Sequence, residues 1–454
     1  MESFLVAFSN MAWGLPLLIL LMGGGIYFMI YSGFLPFRYF GHAINVLRGK
    51  YDDPNDPGEI THFQALSSAL AATVGMGNIS GVAVAIMMGG PGALFWMWVS
   101  AFVGMATKFF TCTLAVMYRG KDSEGQIQGG PMYVITEGLG AKWKPLAVFF
   151  CVAALFGPLP IFQANQLTQV LRDVLFIPNG WVAAGNTFAF DLSMGIFLAV
   201  MVSIVIFGGI KRISNVASKM VPLMVVIYVV CVLYIILTNL DAVPSSFALI
   251  FRDAFTGEAA MGGAVGALII VGAKRASFSN EAGIGTAPMM HGAAKTNEPI
   301  REGLVAMMGP AIDTLVVCTM TALAILITGV WKTGDQNGVT LTVQAFEAGI
   351  PGVGKYLLIL CVIFFSTSSL FTFSYYGTKA LSYLTTVRIS KYFNYFYVLT
   401  IVLGSVATIN AVISLIDGMY ALMAIPTMTS AILLSPKVMA AAKDYFQRMK
   451  SSKI

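Results

Sequence analysis

The chain has 454 residues, of which 57% are hydrophobic and only 11% charged, whereas soluble domains carry about 25% charge. With a mean hydropathy of +0.80 this is the composition of a polytopic helical membrane protein, and the apolar runs are continuous rather than alternating at period two, which excludes a transmembrane β-barrel. The formal net charge of +6 follows from where basic residues fall between spans, so it gives no support to a nucleic-acid partner.

Eleven helical spans are predicted, near residues 13–35, 63–88, 92–118, 145–170, 192–209, 218–239, 259–290, 302–329, 354–384, 394–415 and 418–435. No basic residue precedes Arg38, so the first span lacks the positive region of a signal peptide. The second span is broken in its middle by Ala72-Thr73-Val74-Gly75-Met76-Gly77-Asn78-Ile79-Ser80-Gly81. Unwound backbone at membrane depth is tolerated only inside protein or against a wet cavity. Where the helix restarts after Gly75, unpaired N–H groups and the positive dipole end suit a carboxylate, and glycine at 75 and 77 lets the backbone approach a ligand. The competing reading is a small-residue packing seam. Asn78 is expected to offer its amide oxygen to a sodium ion, beside the Thr73 backbone oxygen, or else to cap the restarted helix.

The fourth span carries Gln163, Asn165, Gln166 and Gln169, whose amides should face the bundle interior. Gln163 and Asn165 are candidates for substrate contact, with interhelical bonding as the alternative. The seventh span has a second polar break between Gly272 and Thr286. Carbonyls near Gly272 and Ala273 are candidates for an ammonium group, and Phe278 for an apolar wall. Asp313, mid-way along the eighth span, is expected to pair with Lys274 or Arg275; the alternative is a coupling carboxylate. The ninth span holds the hydroxyl cluster Ser366-Thr367-Ser368-Ser369. The five cysteines lie within apolar runs without a C-x-x-C pair, and the three histidines show no metal-ligand spacing, so no zinc or haem site is expected.

With the N-terminus outside, 20 basic residues fall in cytoplasmic segments and 4 (Arg172, Arg252, Lys332 and Lys355) outside. Setting the first span aside, spans two to six and seven to eleven form two blocks, each opening on a broken helix. An odd number of spans per block gives the blocks opposite orientation. Paired interrupted helices in corresponding positions point to a transporter's central site. The expected organisation is one transmembrane unit over 1–454, with an extra helix at 13–35, repeats at 63–239 and 259–435, and a cytoplasmic tail at 436–454.

Four motifs sharpen this reading. They are Gly75-x-Gly77-Asn78-Ile79, Gln128-Gly129-Gly130-Pro131-Met132-Tyr133, the run from Lys274-Arg275 through Ser279-Asn280-Glu281-Ala282-Gly283-Ile284-Gly285-Thr286-Ala287-Pro288, and Ser366-Thr367 with Tyr375-Tyr376-Gly377. Together they resemble the alanine or glycine:cation symporter family, over nearly the whole chain; Val134 departs from its GGPMYY signature. The resemblance implies a LeuT-like, all-α, five-plus-five inverted repeat in the cell membrane. It implies a secondary transporter that carries a small neutral amino acid with sodium, or sometimes protons, by alternating access, with no cofactor beyond the coupling ion. It also implies a second sodium site, in which Ser366, Thr367 and Ser368, with Thr367 leading, join the carbonyls of Ala71 and Val74. A channel would need charge rings or an oligomeric filter. An intramembrane enzyme would need a nucleophile with a base, or a metal pair. Neither pattern is present in the sequence.

Overall fold

The computed structural model describes residues 2–256, 265–333 and 338–451. Helices α1 (Glu2–Ala12) and α2 (Leu15–Tyr31) meet at a 48° bend, where Gly14 is extended and Pro16 lies in the first turn of α2. A left-handed turn through Gly33 and Phe34 leads to two short helices, α3 (Leu35–Arg38) and α4 (Phe40–Leu47).

The second predicted span is two helices. A capping box starts α5 (His62–Thr73): the Thr61 hydroxyl accepts from the Gln64 N–H, and the Gln64 side chain accepts from the Thr61 N–H. The helix ends at Val74, and α6 (Gly77–Gly89) resumes after a 52° bend. Next comes α7 (Ala93–Met117), then a two-stranded antiparallel hairpin, β1 (Gly120–Lys121) with β2 (Ile127–Gln128).

The span predicted as one helix at 145–170 is interrupted, forming α8 (Lys144–Ala154) and α9 (Ile161–Val170). Pro158 and Pro160 fall in the gap, each lacking an N–H donor. Helices α10 (Phe188–Ile206), α11 (Gly209–Thr238) and α12 (Ala242–Thr256) follow.

Residues 259–264 of the predicted seventh span lie outside the described residues. From Val265 that span is a regular helix, α13 (Val265–Asn280), then a break, then α14 (Thr286–His291). Within the break Glu281, Gly283 and Gly285 have φ of 54°, 84° and 112°. A non-glycine residue in this region is strained and persists only where its surroundings fix it. The Glu281 carboxyl supplies that fixing: the Thr286 hydroxyl donates to it, and the Tyr420 hydroxyl donates at 2.8 Å.

The remaining long helices are α15 (Pro299–Thr328), α16 (Val339–Gly349), α17 (Gly354–Leu384), α18 (Phe393–Val406) and α19 (Ile409–Lys450). The last is 42 residues long and continuous through Pro426 and Pro436, so residues 436–450, expected as a tail, extend a helix. By length and composition six described helices can cross a membrane unaided, and the two bent pairs raise that to eight.

Burial sorts these helices. The apolar window of α7 is 89% buried, whereas those of α10 and α11 are 33% buried. The latter two expose Phe197, Val200, Ile204, Val226 and Val230, a continuous apolar face that suits lipid. Both α13 and the start of α15 pack on α7, while α11 packs on α5 and α17. The two broken helices therefore lie inside the bundle.

Candidate functional site

The two broken helices approach each other where side chains are absent. A Cβ on Gly77 would lie 3.3 Å from the Ser279 Cα, and one on Gly75 would lie 2.6 Å from the Ser369 Oγ. Glycine at 75 and 77 thus lets the first break touch α13 on one side and α17 on the other. A packing seam and an open backbone are here the same feature.

A cavity lies at this junction. Ala72, Thr73, Gly75, Met76 and Gly77 line it from the first break, with Gln163 from α9, Phe278 from α13, Phe373 from α17, and Ile416 and Tyr420 from α19. Phe278 is fixed edge-on by Phe162, with ring centroids 5.0 Å apart, and lies beside Tyr420 at 6.2 Å. Measured as volume open to the centre of a water molecule, the cavity is only about 10 Å³, room for roughly one water. The site is closed in this conformation, and a larger occupant requires side-chain movement.

Of the expected substrate residues, Thr73, Gly75, Gly77, Gln163 and Phe278 line the cavity. The Gln163 Oε1 is buried and has no hydrogen-bond partner. Leaving such an acceptor unpaired costs about 1–3 kcal/mol. Asn165 is elsewhere: its amide donates to the carbonyls of Gly404 (3.0 Å) and Ala407 (2.8 Å), tying α9 to the end of α18. Gly272 and Ala273 also depart from expectation. They lie inside regular helix, where Gly272 faces Ala93 and Trp96 of α7. The break falls later because the left-handed positions are 281, 283 and 285.

On α17 the hydroxyl cluster meets the first break, but through different members. Ser369 Oγ donates to the carbonyls of Ala71 (3.0 Å) and Ala72 (3.2 Å), and Ser368 Oγ lies 3.2 Å from Ala71 O. Thr367, expected to lead, bonds back to Ile363 (2.7 Å) and Phe364 (3.2 Å) of its own helix. Ser366 Oγ is buried without a partner. Val74 closes α5, its N–H donating to Leu70 O. Ser369 and Phe373 were missed as site residues, although both continue a face of α17 at helical spacing from Ser366.

Asp313 does not pair with Lys274 or Arg275. Those two cations converge on Asp417 Oδ2 of α19, at 2.9 and 2.6 Å, and Trp13 donates to the Asp417 carbonyl at 2.8 Å. Asp417 falls between the predicted spans at 394–415 and 418–435; the helix begins at Ile409 and carries it inside. Asp313 instead sits in a π-helical stretch of α15 (Ala311–Cys318), a distortion frequent at functional sites. Its carboxylate accepts from Asn78 Nδ2 (2.8 Å), Ser279 Oγ (2.7 Å) and Thr314 Oγ1 (2.8 Å). The Asn78 Oδ1 accepts from the Gly75 N–H at 2.9 Å. In this conformation the oxygen expected to face sodium therefore holds the break itself. The carboxylate joins both broken helices to α15, and no Lys or Arg nitrogen makes an ion pair with it among the described residues.

Two of the three histidines, distant in sequence, meet in space, while His42 bonds Tyr445 instead. His62 at the start of α5 and His291 at the end of α14 each bond one oxygen of buried Glu302 through Nδ1. Glu302 on α15 thus ties the start of α5 to the end of α14, the ends of the two broken helices farthest from the breaks.

The profile of the sodium:alanine symporter family matches residues 1–454. The chain belongs to this family. An uncharacterized transporter of Haemophilus influenzae is 40% identical, over 99% of this chain and 97% of that one. The sodium/alanine symporter AgcS of Methanococcus maripaludis is 38% identical, over 96% and 95%. Among solved structures, MhsT in complex with L-phenylalanine has a TM-score of 0.59 at 12% identity, covering 85% of this chain and 98% of that one. Likeness at that identity establishes the fold, the LeuT-type five-plus-five inverted repeat. As a member of a symporter family, the chain is a multi-pass membrane transporter and not an enzyme.

Proposed function

We propose that this protein imports small neutral amino acids, alanine and glycine, coupled to sodium by alternating access. The observation that carries this reading is the unpartnered Gln163 Oε1 in a closed cavity at the first helix break. It is an acceptor waiting for a donor, which an ammonium supplies. The carboxylate of the same zwitterion faces the backbone at Gly75 and Gly77, where the helix restarts. Phe278, Phe373 and Tyr420 close the apolar side and favour a small side chain.

Two sodium positions go with this reading. One lies between the Ala71 and Ala72 carbonyls and the hydroxyls of Ser368 and Ser369, with Val74 and Ser366 within the same turns. The other uses the Asp313 carboxylate with Ser279, Thr314 and Asn78, after the Asn78 oxygen leaves the Gly75 N–H. Sodium, like calcium, prefers oxygen ligands. One sodium entering down about 100 mV contributes roughly 2.3 kcal/mol, enough for about 40-fold accumulation. The N-terminus is placed outside and residue 450 in the cytoplasm, from the distribution of basic residues, and the repeats are placed at 63–239 and 259–435.

The buried carboxylate, with no Lys or Arg in ion-pair contact among the described residues, favours one second reading, in which Asp313 takes a proton instead of sodium. Uptake of radiolabelled alanine into proteoliposomes separates the two. Sodium coupling predicts saturable uptake that needs inward sodium, with aromatic and charged amino acids competing poorly. Equal uptake with potassium in place of sodium sinks it, and sodium-free uptake driven by an imposed inward proton gradient establishes the proton reading.

A further inference from the structure

A groove outside the transport site lies where the extra N-terminal helix meets the end of α19. Its open volume, measured as for the central cavity, is about 260 Å³. Arg38 closes α3, and Lys443, Gln447 and Lys450 line the groove from α19. The spacings of four and three residues put those last three on one helix face. No Asp or Glu lines the groove, and Arg38, Lys443 and Lys450 make no ion pair among the described residues. The neighbouring acid, Asp444, is paired with Arg448 at 2.9 Å. Three cations therefore face one cavity with no counter-charge among the described residues.

The groove is a built junction. The Tyr39 and Phe446 rings stack in its wall with centroids 3.7 Å apart. Beside it, His42 Nε2 and the Tyr445 hydroxyl are 2.8 Å apart. Arg448 grips Glu298, before α15, with two bonds of 2.7 and 3.1 Å. The floor is thus fixed before any ligand arrives.

Its place is a membrane surface. At about 1.5 Å per residue α19 is roughly 63 Å long, twice the bilayer's hydrocarbon core of about 30 Å, so its last turns stand clear of the lipid tails. Where α2 ends, Tyr31, Phe34 and Phe37 are 41%, 53% and 50% exposed, and Arg38 follows at once. Exposed aromatics next to a basic residue mark the boundary between tails and headgroups.

We propose that this groove binds the phosphate of an anionic ligand, supplied by a phospholipid headgroup whose acyl chains lie along Tyr31, Phe34 and Phe37. Basic pockets between membrane helices on the cytoplasmic side suit such headgroups. Zwitterionic lipid brings a cation of its own and is disfavoured by three unpaired positive groups. The lipid bridges the first helix to the last and braces the α19 extension over the start of α15.

The test uses delipidated, detergent-purified full chain and a thermal-unfolding titration. Phosphatidylglycerol should raise the melting midpoint saturably, and phosphatidylcholine should not. The triple variant Arg38→Gln, Lys443→Gln, Lys450→Gln should need on the order of 100-fold more phosphatidylglycerol for the same shift. A control variant with the same charge change at exposed sites, Lys211→Gln, Lys219→Gln, Lys391→Gln, should respond like the parent. Equal shifts from both lipids, or equal responses from both triple variants, overturn the site. A full shift from glycerol 3-phosphate alone overturns the lipid source and makes the ligand a soluble phosphate. If the groove triple unfolds before titration, Lys443→Gln alone, on an exposed helix face, replaces it; an unchanged response then overturns the site.

Discussion

Asp313 accepts three hydrogen bonds from neutral donors and has no cation within ion-pair distance among the described residues. Asparagine at this position can keep the bond from Asn78, and the two hydroxyls can turn to accept. The charge is lost and the geometry largely kept. Asp313→Asn should therefore fold normally and raise the sodium concentration for half-maximal uptake about 10-fold or more, as expected when a charged ligand is lost. Early melting of the solubilised variant with normal sodium dependence would contradict this and return Asp313 to a structural role. Ser369 and Thr367 give a paired test on the other sodium position. Ser369 reaches two carbonyls of the first break, whereas Thr367 bonds only its own helix. Ser369→Ala should raise the half-maximal sodium concentration roughly 5- to 10-fold, and Thr367→Ala should leave it within about 2-fold. The reverse order, measured by uptake at fixed alanine, would move that cation back toward Thr367.

Glu302 couples elements rather than ligands. It takes one bond from His62 on α5 and one from His291 on α14, so one half of each broken helix shares a single buried carboxylate. Glu302→Gln sets an amide N–H against one imidazole N–H. That should cost about 1–3 kcal/mol and lower the melting midpoint by a few degrees; an unchanged midpoint would show that the histidines do not depend on it. The elements also show what sequence alone carries. The first break was legible within 72–81, because Gly75, Gly77 and Asn78 interrupt a long apolar stretch; the structure narrows it to 74–76. The second was legible as a break but drawn too wide, so that its first nine residues fall in regular helix. The stretch from Gly272 to Gly285 offers several glycines, and only backbone dihedrals tell that Gly272 is for packing against Trp96. The gap between α8 and α9 had a signal, Pro158 and Pro160, which the apolar run concealed. Asp417 was missed because a span boundary nine residues late left it between spans, which left Lys274 and Arg275 in search of a partner.

At the scale of the molecule, the sequence carried the membrane class, the inverted repeat and the family, since these follow from composition, matching breaks and ordered motifs. It did not carry contacts between distant segments, such as Phe373 and Tyr420 closing the cavity over Gly77, because a residue's face toward a distant helix is set by packing. The orientation has its own test. Gly185 lies in an exposed loop where an added Cβ meets nothing within 4 Å, and Lys391 is exposed in the loop before α18. An impermeant maleimide should label Gly185→Cys in intact cells and Lys391→Cys only after lysis, with the native cysteines silent because all five are buried; labelling in the opposite order would invert the topology. The most direct test of the central claim, that a small amino acid and sodium share the cavity between the two helix breaks, is equilibrium binding of radiolabelled alanine to the purified protein as sodium is titrated. Linkage requires that sodium tighten alanine binding and alanine tighten sodium binding by the same factor, and Gln163→Ala should weaken alanine binding at saturating sodium. An alanine affinity that is the same in sodium and in potassium, and indifferent to Gln163→Ala, would contradict it.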